Sequence, residues 1–305
     1  MIIARHGFAF AALMLGAPSV QAQNAAQTFV GTTPADAPIL GQLGISQESA
    51  EILEWTLSLD GDRYNLHVEY GVTAPNQPGI AKSRKSLDRA GSFTSSVNVY
   101  RLGNIALSRI SGDVLHLRNA DGSLMVGNGG WSYTVHRQSL AEKPVSAKDQ
   151  NEYFAWRNRR GDSFTPPPAP RPEPAAVLGV FDGRTPCQVI ARELNTPVHL
   201  GCSRLKWGLT LLRDPATGNP TTYKLGGQLY WLDTPGATER NGAWSIERGR
   251  PGDPDATVYR LSASGSERPL LLLKGDDNVL FMLDRNGNPL VGNADFSYTL
   301  DRKRP

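Results

Sequence analysis

The sequence predicts an all-β chain that folds as two small antiparallel barrels or sandwiches. Three observations lead to this fold class. The chain carries 31 Gly and 22 Pro among 305 residues, which favours many turns over long helices. It contains an internal repeat in its two halves, and apolar residues alternate with polar ones inside each repeat, as in strands with one buried face.

Composition and charge narrow the class of protein. Hydrophobic residues make up 39% of the chain, which is enough to build a core and excludes wholesale disorder. The formal net charge is only +3, so we expect no nucleic-acid partner. The length fits two domains.

The repeat is clearest where residues 113–137 align with residues 278–302 at a constant offset of 165. Ten of the 25 aligned positions are identical, among them Tyr133 and Tyr298. Upstream the match continues with small gaps, pairing Tyr100 with Tyr259 and Trp55 with Trp207. A unit of about 100 residues is a duplicated domain rather than a solenoid repeat.

Strands follow from the alternation within each unit. Apolar residues occupy every second position at Leu53–Leu59, Tyr64–Tyr70 and Trp131–Val135 in unit 1. In unit 2 we assign Val279, Phe281 and Leu283 to the buried face of a further strand. Asp-Gly and Asn-Gly pairs at 60–61, 121–122 and 286–287 mark turns between them. The expected domains are barrel 1 at residues 40–138 and barrel 2 at residues 179–305.

The segment between them, residues 139–178, is predicted to be a linker. Residues 165–174 contain six Pro, and such a tract is extended and cannot join a core. Before it, residues 146–160 favour a short helix with Ser146 as N-cap. A second helix is expected from Thr185 as N-cap, which would place Cys187 in its first turn.

The N-terminus has the pattern of a cleaved signal peptide. Arg5 is followed by an apolar run of ten residues at 7–16, and Val20-Gln21-Ala22 fits a cleavage site. We therefore expect residues 1–22 to be removed after Ala22. The mature protein would be periplasmic or secreted, with no membrane span.

Taken in order, several motifs resemble the N-terminal domain of NlpE, a family of envelope lipoproteins linked to copper resistance and surface-stress sensing. Residues 183–187 (GRTPC) are similar to its Gly-x-x-Pro-Cys opening, and residues 279–299 to its closing strands. The resemblance implies lipocalin-like antiparallel barrels. This chain keeps one cysteine of the family's Cys-x-x-Cys pair and has no lipid-bearing cysteine.

Two cysteines in an exported chain predict a Cys187–Cys202 disulfide. Two alternatives remain open: Cys187 as a reactive thiol at a helix N-terminus, and a weak metal site of Cys187, Cys202 and His199. The remaining mature histidines, His67, His116 and His136, show no ligand spacing and are expected to be structural or exposed.

These observations favour a non-enzymatic envelope protein with a binding or stress-sensing role, and we expect no cofactor and no catalytic residues. Its partner would be an envelope protein or a small ligand. The alternative is a carrier of a small ligand or of copper inside a barrel. A carrier needs an open interior, whereas an interaction protein has a filled one.

Overall fold

The computed structural model describes residues 26–46, 50–73, 79–81, 84–160, 176–196, 198–227, 239–263 and 268–303. The predicted signal segment at residues 1–22 and the Pro-rich tract at residues 165–174 lie outside the described residues. The described part is mostly β, in two antiparallel sheets, so the predicted fold class is confirmed. Within it, no helix has the length and apolar character needed to cross a bilayer.

Unit 1 forms a sheet in the order β4-β3-β2-β1-β9-β8-β7-β6-β5, which curls into a nearly closed barrel. Its elements are β1 (Gln27–Pro34), α1 (Ala37–Leu43), β2 (Ile52–Asp60), β3 (Arg63–Gly71), β4 (Lys85–Ser92), β5 (Thr94–Ser96), β6 (Val99–Leu102), β7 (Ile105–Arg109), β8 (Val114–Leu117) and β9 (Thr134–Arg137). A 3-10 turn at Gln138–Leu140 follows.

Unit 2 forms a closed barrel from β10 to β17, with each strand paired to the next and β17 paired back to β10. Its elements are α2 (Ala147–Arg160), β10 (Val177–Thr185), α3 (Gln188–Glu193), β11 (Leu205–Arg213), β12 (Pro220–Gly227), β13 (Glu239–Arg250), β14 (Asp253–Ala263), β15 (Leu270–Lys274), β16 (Val279–Leu283) and β17 (Thr299–Arg302).

The domain boundaries need two corrections. Strand β1 pairs with β2 and β9, so barrel 1 begins by Gln27 rather than at residue 40. Strand β10 begins at Val177, two residues before the expected 179. Strand β1 was missed because its last six residues are all buried, so it lacks the polar–apolar alternation of a half-exposed strand.

Helix α2 begins as predicted but does not act only as a linker. The Ser146 hydroxyl accepts a hydrogen bond from the Asp149 amide at 3.1 Å and donates to the Asp149 carboxylate at 2.6 Å, which caps the helix. Tyr153, further along α2, is buried in the core of barrel 2, with Trp156 packed against that core. The helix therefore belongs to barrel 2.

The predicted cap of the second helix is wrong. Helix α3 starts at Gln188, and Cys187 occupies the N-cap position with no side-chain cap. Thr185 is the last residue of β10, and its hydroxyl oxygen accepts a 2.8 Å bond from the Trp207 indole. The same bond joins Trp55 to Thr33 in barrel 1, also at 2.8 Å. The threonine therefore serves the barrel core rather than the helix.

Both barrel interiors are filled by side chains from the inner strand faces. The equivalent tryptophans Trp55 and Trp207 lie at one end of each core, and the equivalent tyrosines Tyr133 and Tyr298 are fully buried. Each interior cluster also holds a row of leucines from the neighbouring strands. The alternation read from the sequence thus gives the correct inner face for β2 and most of β3.

On β16 the alternate residues that the sequence predicts to face the barrel interior lie on the opposite face of the strand. All five residues of this strand are buried. Leu280 and Met282 face the barrel interior, whereas the other three residues, Val279, Phe281 and Leu283, form a separate cluster that includes Leu124 of unit 1. The outer face of β16 is buried because barrel 1 packs against it.

The two barrels meet along an approximate two-fold axis. Residues at equivalent repeat positions contact each other there: Ser132 bonds Ser297 (Oγ–Oγ, 2.6 Å), and Thr134 bonds Thr299 (Oγ1–Oγ1, 2.9 Å). The rings of His116 and Phe281, also equivalent, meet edge to face with centroids 5.3 Å apart. Such self-pairing is what a two-fold interface between similar units produces.

The walls of the two barrels differ at the hairpin that joins β6 to β7 in unit 1 and β14 to β15 in unit 2. The repeat offset is 159 at Tyr100 and Tyr259 but 165 at Ile105 and Leu270, so unit 2 has six additional residues between these positions. In unit 2 they lengthen the β14–β15 hairpin, and β14 pairs with β13 as far as Gly242. In unit 1 a tight turn at Gly103-Asn104 replaces them, and none of the described strands pairs with the second edge of β4.

The surroundings of two equivalent glycines, Gly91 and Gly242, differ accordingly. A Cβ on Gly242 would lie 2.0 Å from the Ser262 carbonyl oxygen and 3.0 Å from the Tyr223 ring. Around a Cβ on Gly91 the three nearest atoms all belong to Tyr64, at 3.0 to 3.5 Å. Gly91 therefore keeps the tyrosine contact, and none of the described strands approaches it as closely as Ser262 approaches Gly242.

We expect Gly242→Ala to destabilise barrel 2 by about 1–3 kcal/mol, the usual cost of overpacking. Gly91→Ala should cost less than about 1 kcal/mol, because only an aromatic ring must adjust. Urea unfolding of the two variants measures the difference, and each glycine serves as the control for the other. Equal destabilisation would contradict the unequal wall geometry.

Candidate functional site

An open groove of about 1020 Å³ lies between the two barrels. Unit 1 contributes the β5–β6 turn and the β7–β8 connection, and unit 2 contributes the β13–β14 turn, the end of β15 and the residues after β16. Its lining residues are Val97, Asn98, Arg109–Asp113, Arg250–Thr257, Leu273–Asp276 and Asn288–Pro289. The groove exists only because the barrels are packed together.

The floor of the groove is apolar. Ile110 from unit 1 and Ala256 and Leu273 from unit 2 belong to the cluster between the barrels and also line the groove. Arg250 crosses from unit 2 and donates a 2.8 Å hydrogen bond from Nη2 to the Ile110 carbonyl. This bond fixes the two walls relative to each other.

The rim carries charges of both signs. Arg109 is exposed and lies over the Tyr100 ring, while Asp113 forms an ion pair with Arg137. Asp253 and Asp255 are on the opposite wall, and Lys274 pairs with Asp277 at 2.7 Å, which raises the Lys274 pKa. Alternating charges around an apolar floor are typical of a protein-binding surface rather than an enclosed small-molecule site.

Asp276 connects the groove to the buried interface. Its Oδ2 accepts a 3.2 Å bond from the Leu124 amide of unit 1, and its Oδ1 accepts from the amides of Asn278 and Val279. Its negative charge also acts on His116, which lies fully buried behind it. Asp276 thus holds both barrels through hydrogen bonds to main-chain amides.

The two interface histidines, His116 and His136, are both buried. Their burial agrees with the structural role that was one of the two predicted for them. The His116 ring donates from Nε2 to the Met125 carbonyl at 2.8 Å and accepts from the Thr134 hydroxyl at Nδ1. Neither ring nitrogen of His136 has a hydrogen-bond partner among the described residues. An unpaired buried polar group of this kind costs about 1–3 kcal/mol.

His136 occupies the position equivalent to Asp301, and the difference explains why it is unpaired. Asp301 Oδ1 accepts a 2.8 Å bond from the Gly127 amide. On the other side of the axis, Gly292 lies against His136 with the same close approach, since a Cβ there would be 2.7 Å from Nε2. Both units therefore have the close contact between a glycine and the equivalent side chain, but only the Gly127–Asp301 contact includes a hydrogen bond.

The predicted cysteine sites lie at the far end of barrel 2. Cys187 and Cys202 are joined by a disulfide with Cα atoms 5.9 Å apart, and both are buried. The bond leaves no thiol for the reactive-cysteine or metal alternatives. The His199 ring stacks on Trp156 with centroids 5.2 Å apart, and its Nδ1 accepts from the Gly201 amide at 3.0 Å. His199 therefore has a packing role beside the disulfide.

His67 is on the outer surface of barrel 1, where its Nδ1 lies 2.7 Å from a carboxylate oxygen of Asp88 at an exposed position. Within the described residues, no group of three or more His, Cys, Asp or Glu side chains is placed to bind a metal ion. The sequence-predicted candidates are thus dispersed, and the groove residues were missed. One signal could have found the interface: residues 279–283 (VLFML) are apolar without interruption, as in strands buried on both faces.

Lowering the pH below about 6.5 should lower the free energy of unfolding, because the two buried histidines resist protonation in the folded protein. Burial lowers the pKa of His116 to about 4 and that of His136 to about 3, from 6.5. The unfolded chain therefore binds protons between these values that the folded chain does not. Stability is fully present above pH 6.5 and falls with pH, by at most about 1.4 kcal/mol per pH unit for each histidine.

His136→Phe should make this pH dependence shallower and raise stability at acidic pH, because one neutral buried ring no longer resists protonation. Urea unfolding between about pH 7 and 4.5 measures the slope. The wild-type protein, measured over the same pH range, is the control for the slope. An unaltered slope in His136→Phe would contradict the burial argument.

Removing the disulfide should destabilise barrel 2 alone. The bond closes a loop with a sequence separation of 15 residues that carries α3, and the chain-entropy model gives about 3 kcal/mol for such a loop. Cys187→Ala/Cys202→Ala should lower the unfolding free energy of barrel 2 by about that amount. Hydrogen exchange of the two barrels separates the effects, and equal loss of protection in barrel 1 would contradict the prediction.

Comparisons with protein-family models, with curated proteins and with solved structures find no match to this chain.

Proposed function

We propose that the protein is an extracytoplasmic, non-enzymatic interaction protein that binds another envelope polypeptide in the groove between its barrels. The single observation that carries the proposal is the groove itself, whose walls come from both units and whose floor is the apolar interface cluster. Both of the duplicated domains are then required for binding, because neither barrel alone forms the groove.

The mixed charges on the rim favour a polypeptide over a small ligand. Arg109 on one wall and Asp253 and Asp255 on the other are exposed or partly exposed, so a partner with both charge signs would be complementary. Three prolines, Pro251, Pro254 and Pro289, stiffen the unit 2 side. A rigid surface loses less entropy on binding.

An extracytoplasmic location is supported by the disulfide, since such bonds persist in oxidising compartments. The apolar run at residues 7–16 and the Val20-Gln21-Ala22 site favour export through a cleaved signal. The resemblance of residues 183–187 and 279–299 to NlpE adds the envelope and a binding or stress-sensing role to the proposal.

The alternative, a carrier of a small ligand or copper inside a barrel, has less support. The interior clusters are built from tryptophan, tyrosine and leucine side chains that pack against each other. The cysteines, which would be the soft copper ligands, are bonded to each other. Binding is therefore better placed on a surface than in an interior.

Site-specific photo-crosslinking in the exported protein tests the proposal. A photoreactive residue at Val97, which is 87% exposed in the groove, should give a protein adduct in the cell envelope. The same residue at Leu200, 77% exposed at the far end of barrel 2, is the matched control and should give none. N-terminal sequencing of the purified fraction should begin at Gln23.

Reversing the groove charge provides the second control. Arg109→Glu should weaken the Val97 adduct several-fold, whereas Arg63→Glu, exposed on barrel 1 outside the groove lining, should not. Equal adducts from Val97 and Leu200, or an adduct insensitive to Arg109→Glu, would overturn the groove as the binding site.

A further inference from the structure

Barrel 2 carries an open pocket of about 490 Å³ that shares no lining residue with the groove between the barrels. Three of its lining residues are arginines, and each comes from a different part of the barrel. Arg192 is in the last turn of α3, Arg268 precedes β15, and Arg285 follows β16. The other lining residues are Ala191, Asn195 and Thr196.

Hydrogen bonds of the main chain fix two of the arginine positions. Helix α3 ends because Asn195 adopts a left-handed conformation with φ of 52°, and its amide donates to the Arg192 carbonyl at 3.1 Å. The Arg285 amide donates to Oε2 of Glu193, on α3, at 3.0 Å. This bond ties the turn after β16 to the helix, so Arg192 and Arg285 are held at the same pocket.

The positive charges of the pocket are incompletely balanced. All three arginines are exposed, and neither Arg192 nor Arg268 forms an ion pair with a carboxylate of the described residues. Arg285 Nε lies 3.5 Å from Glu193 Oε2, which also accepts the Arg285 amide. Like charges placed close together repel each other, so this arrangement has an energetic cost unless an anion binds.

The fold itself does not require the three arginines, as barrel 1 shows. At the end of α1, the Gly44 amide donates to the Gly41 carbonyl at 3.1 Å, the bond that Asn195 makes to Arg192 in barrel 2. The other two positions correspond at the repeat offset of 165. The residues equivalent to Arg192, Arg268 and Arg285 are therefore Gly41, Gly103 and Ala120. A favourable interaction with the end of a helix would account for Arg192 alone.

The number and geometry of the guanidinium groups indicate the class of anion. One guanidinium matches one carboxylate, which has two oxygens and a single charge. A phosphate monoester has three terminal oxygens and close to two charges at neutral pH, so it can accept from several guanidinium groups at once. The volume of the pocket leaves room for the group that carries the phosphate.

We propose that the pocket formed by Arg192, Arg268 and Arg285 binds a phosphate group. The three guanidinium groups donate to its oxygens and neutralise its charge. The phosphate is carried either by a soluble compound or by a lipid headgroup, which the experiment below distinguishes. This site belongs to barrel 2 alone and does not depend on the groove.

The test titrates inorganic phosphate into the oxidised, nitrogen-15-labelled protein at constant ionic strength and about pH 7.5, where phosphate carries close to two charges. The side-chain Nε–Hε signals of Arg192, Arg268 and Arg285 should shift saturably. Acetate, titrated in the same way, supplies a carboxylate and should bind at least about tenfold more weakly.

Two double variants with the same loss of charge connect binding to the pocket. Arg192→Gln/Arg268→Gln removes the two guanidinium groups that have no ion pair and should weaken phosphate binding at least about tenfold. Arg63→Gln/Arg101→Gln, at exposed positions of barrel 1, is the matched control and should bind normally. Both variants should unfold at the wild-type urea midpoint, because the replaced side chains are exposed.

Flotation with phosphatidylcholine vesicles, with and without phosphatidic acid, identifies the source of the phosphate. Binding to phosphatidic acid that Arg192→Gln/Arg268→Gln abolishes would assign the site to a lipid headgroup. Phosphate binding in solution without flotation would assign it to a soluble phosphate compound. No saturable shift of the three arginine signals, equal affinity for acetate, or equal losses in the two double variants would overturn the proposal.

Discussion

The burial of the outer faces of β8 and β16 against the opposite barrel is the constraint on which the rest of the structure depends. Strand β16 is apolar on both faces, and β8 is buried along its whole length with His116 on the face that meets Phe281. Exposing either strand to water would therefore lose the burial energy of Phe281 and its neighbours. Packing the units together buries them and creates the groove at the margin of the contact.

The approximate two-fold symmetry of this contact is a consequence of the duplication. Hydroxyl groups at Ser132, Thr134 and their equivalents satisfy each other on the axis, which identical positions can do without any change of sequence. Away from the axis the copies have diverged. Asp301 bonds the Gly127 amide, whereas His136 at the equivalent position is buried without a partner, so the interface has an acid-sensitive side.

The two barrels have diverged in the structure of their walls. Barrel 2 is closed by a long hairpin and fastened at its end by the disulfide, α3 and the aromatic residues of α2. Barrel 1 has a shorter hairpin between β6 and β7. Packed clusters of side chains occupy both interiors, so binding is proposed at the groove, which needs both units.

The sequence by itself determined the fold class, the duplication, the Ser146 cap and the pairing of its two cysteines. These are local or nearly local properties: period-two alternation, turn dipeptides, a capping pattern and a count of two cysteines in a chain whose N-terminus has the pattern of an export signal. The resemblance to NlpE led to the same barrel architecture, while the functional part of that resemblance stays a prediction.

Only the tertiary structure decided which faces meet. Alternation shows that a strand has two kinds of face, but not that Phe281 contacts His116 of the other repeat rather than its own core. Thr185 read as a helix cap because its sequence neighbours fit one, yet a tryptophan from β11 bonds its hydroxyl. The groove depends on long-range packing between the two units, and such packing leaves no periodic signal in the chain.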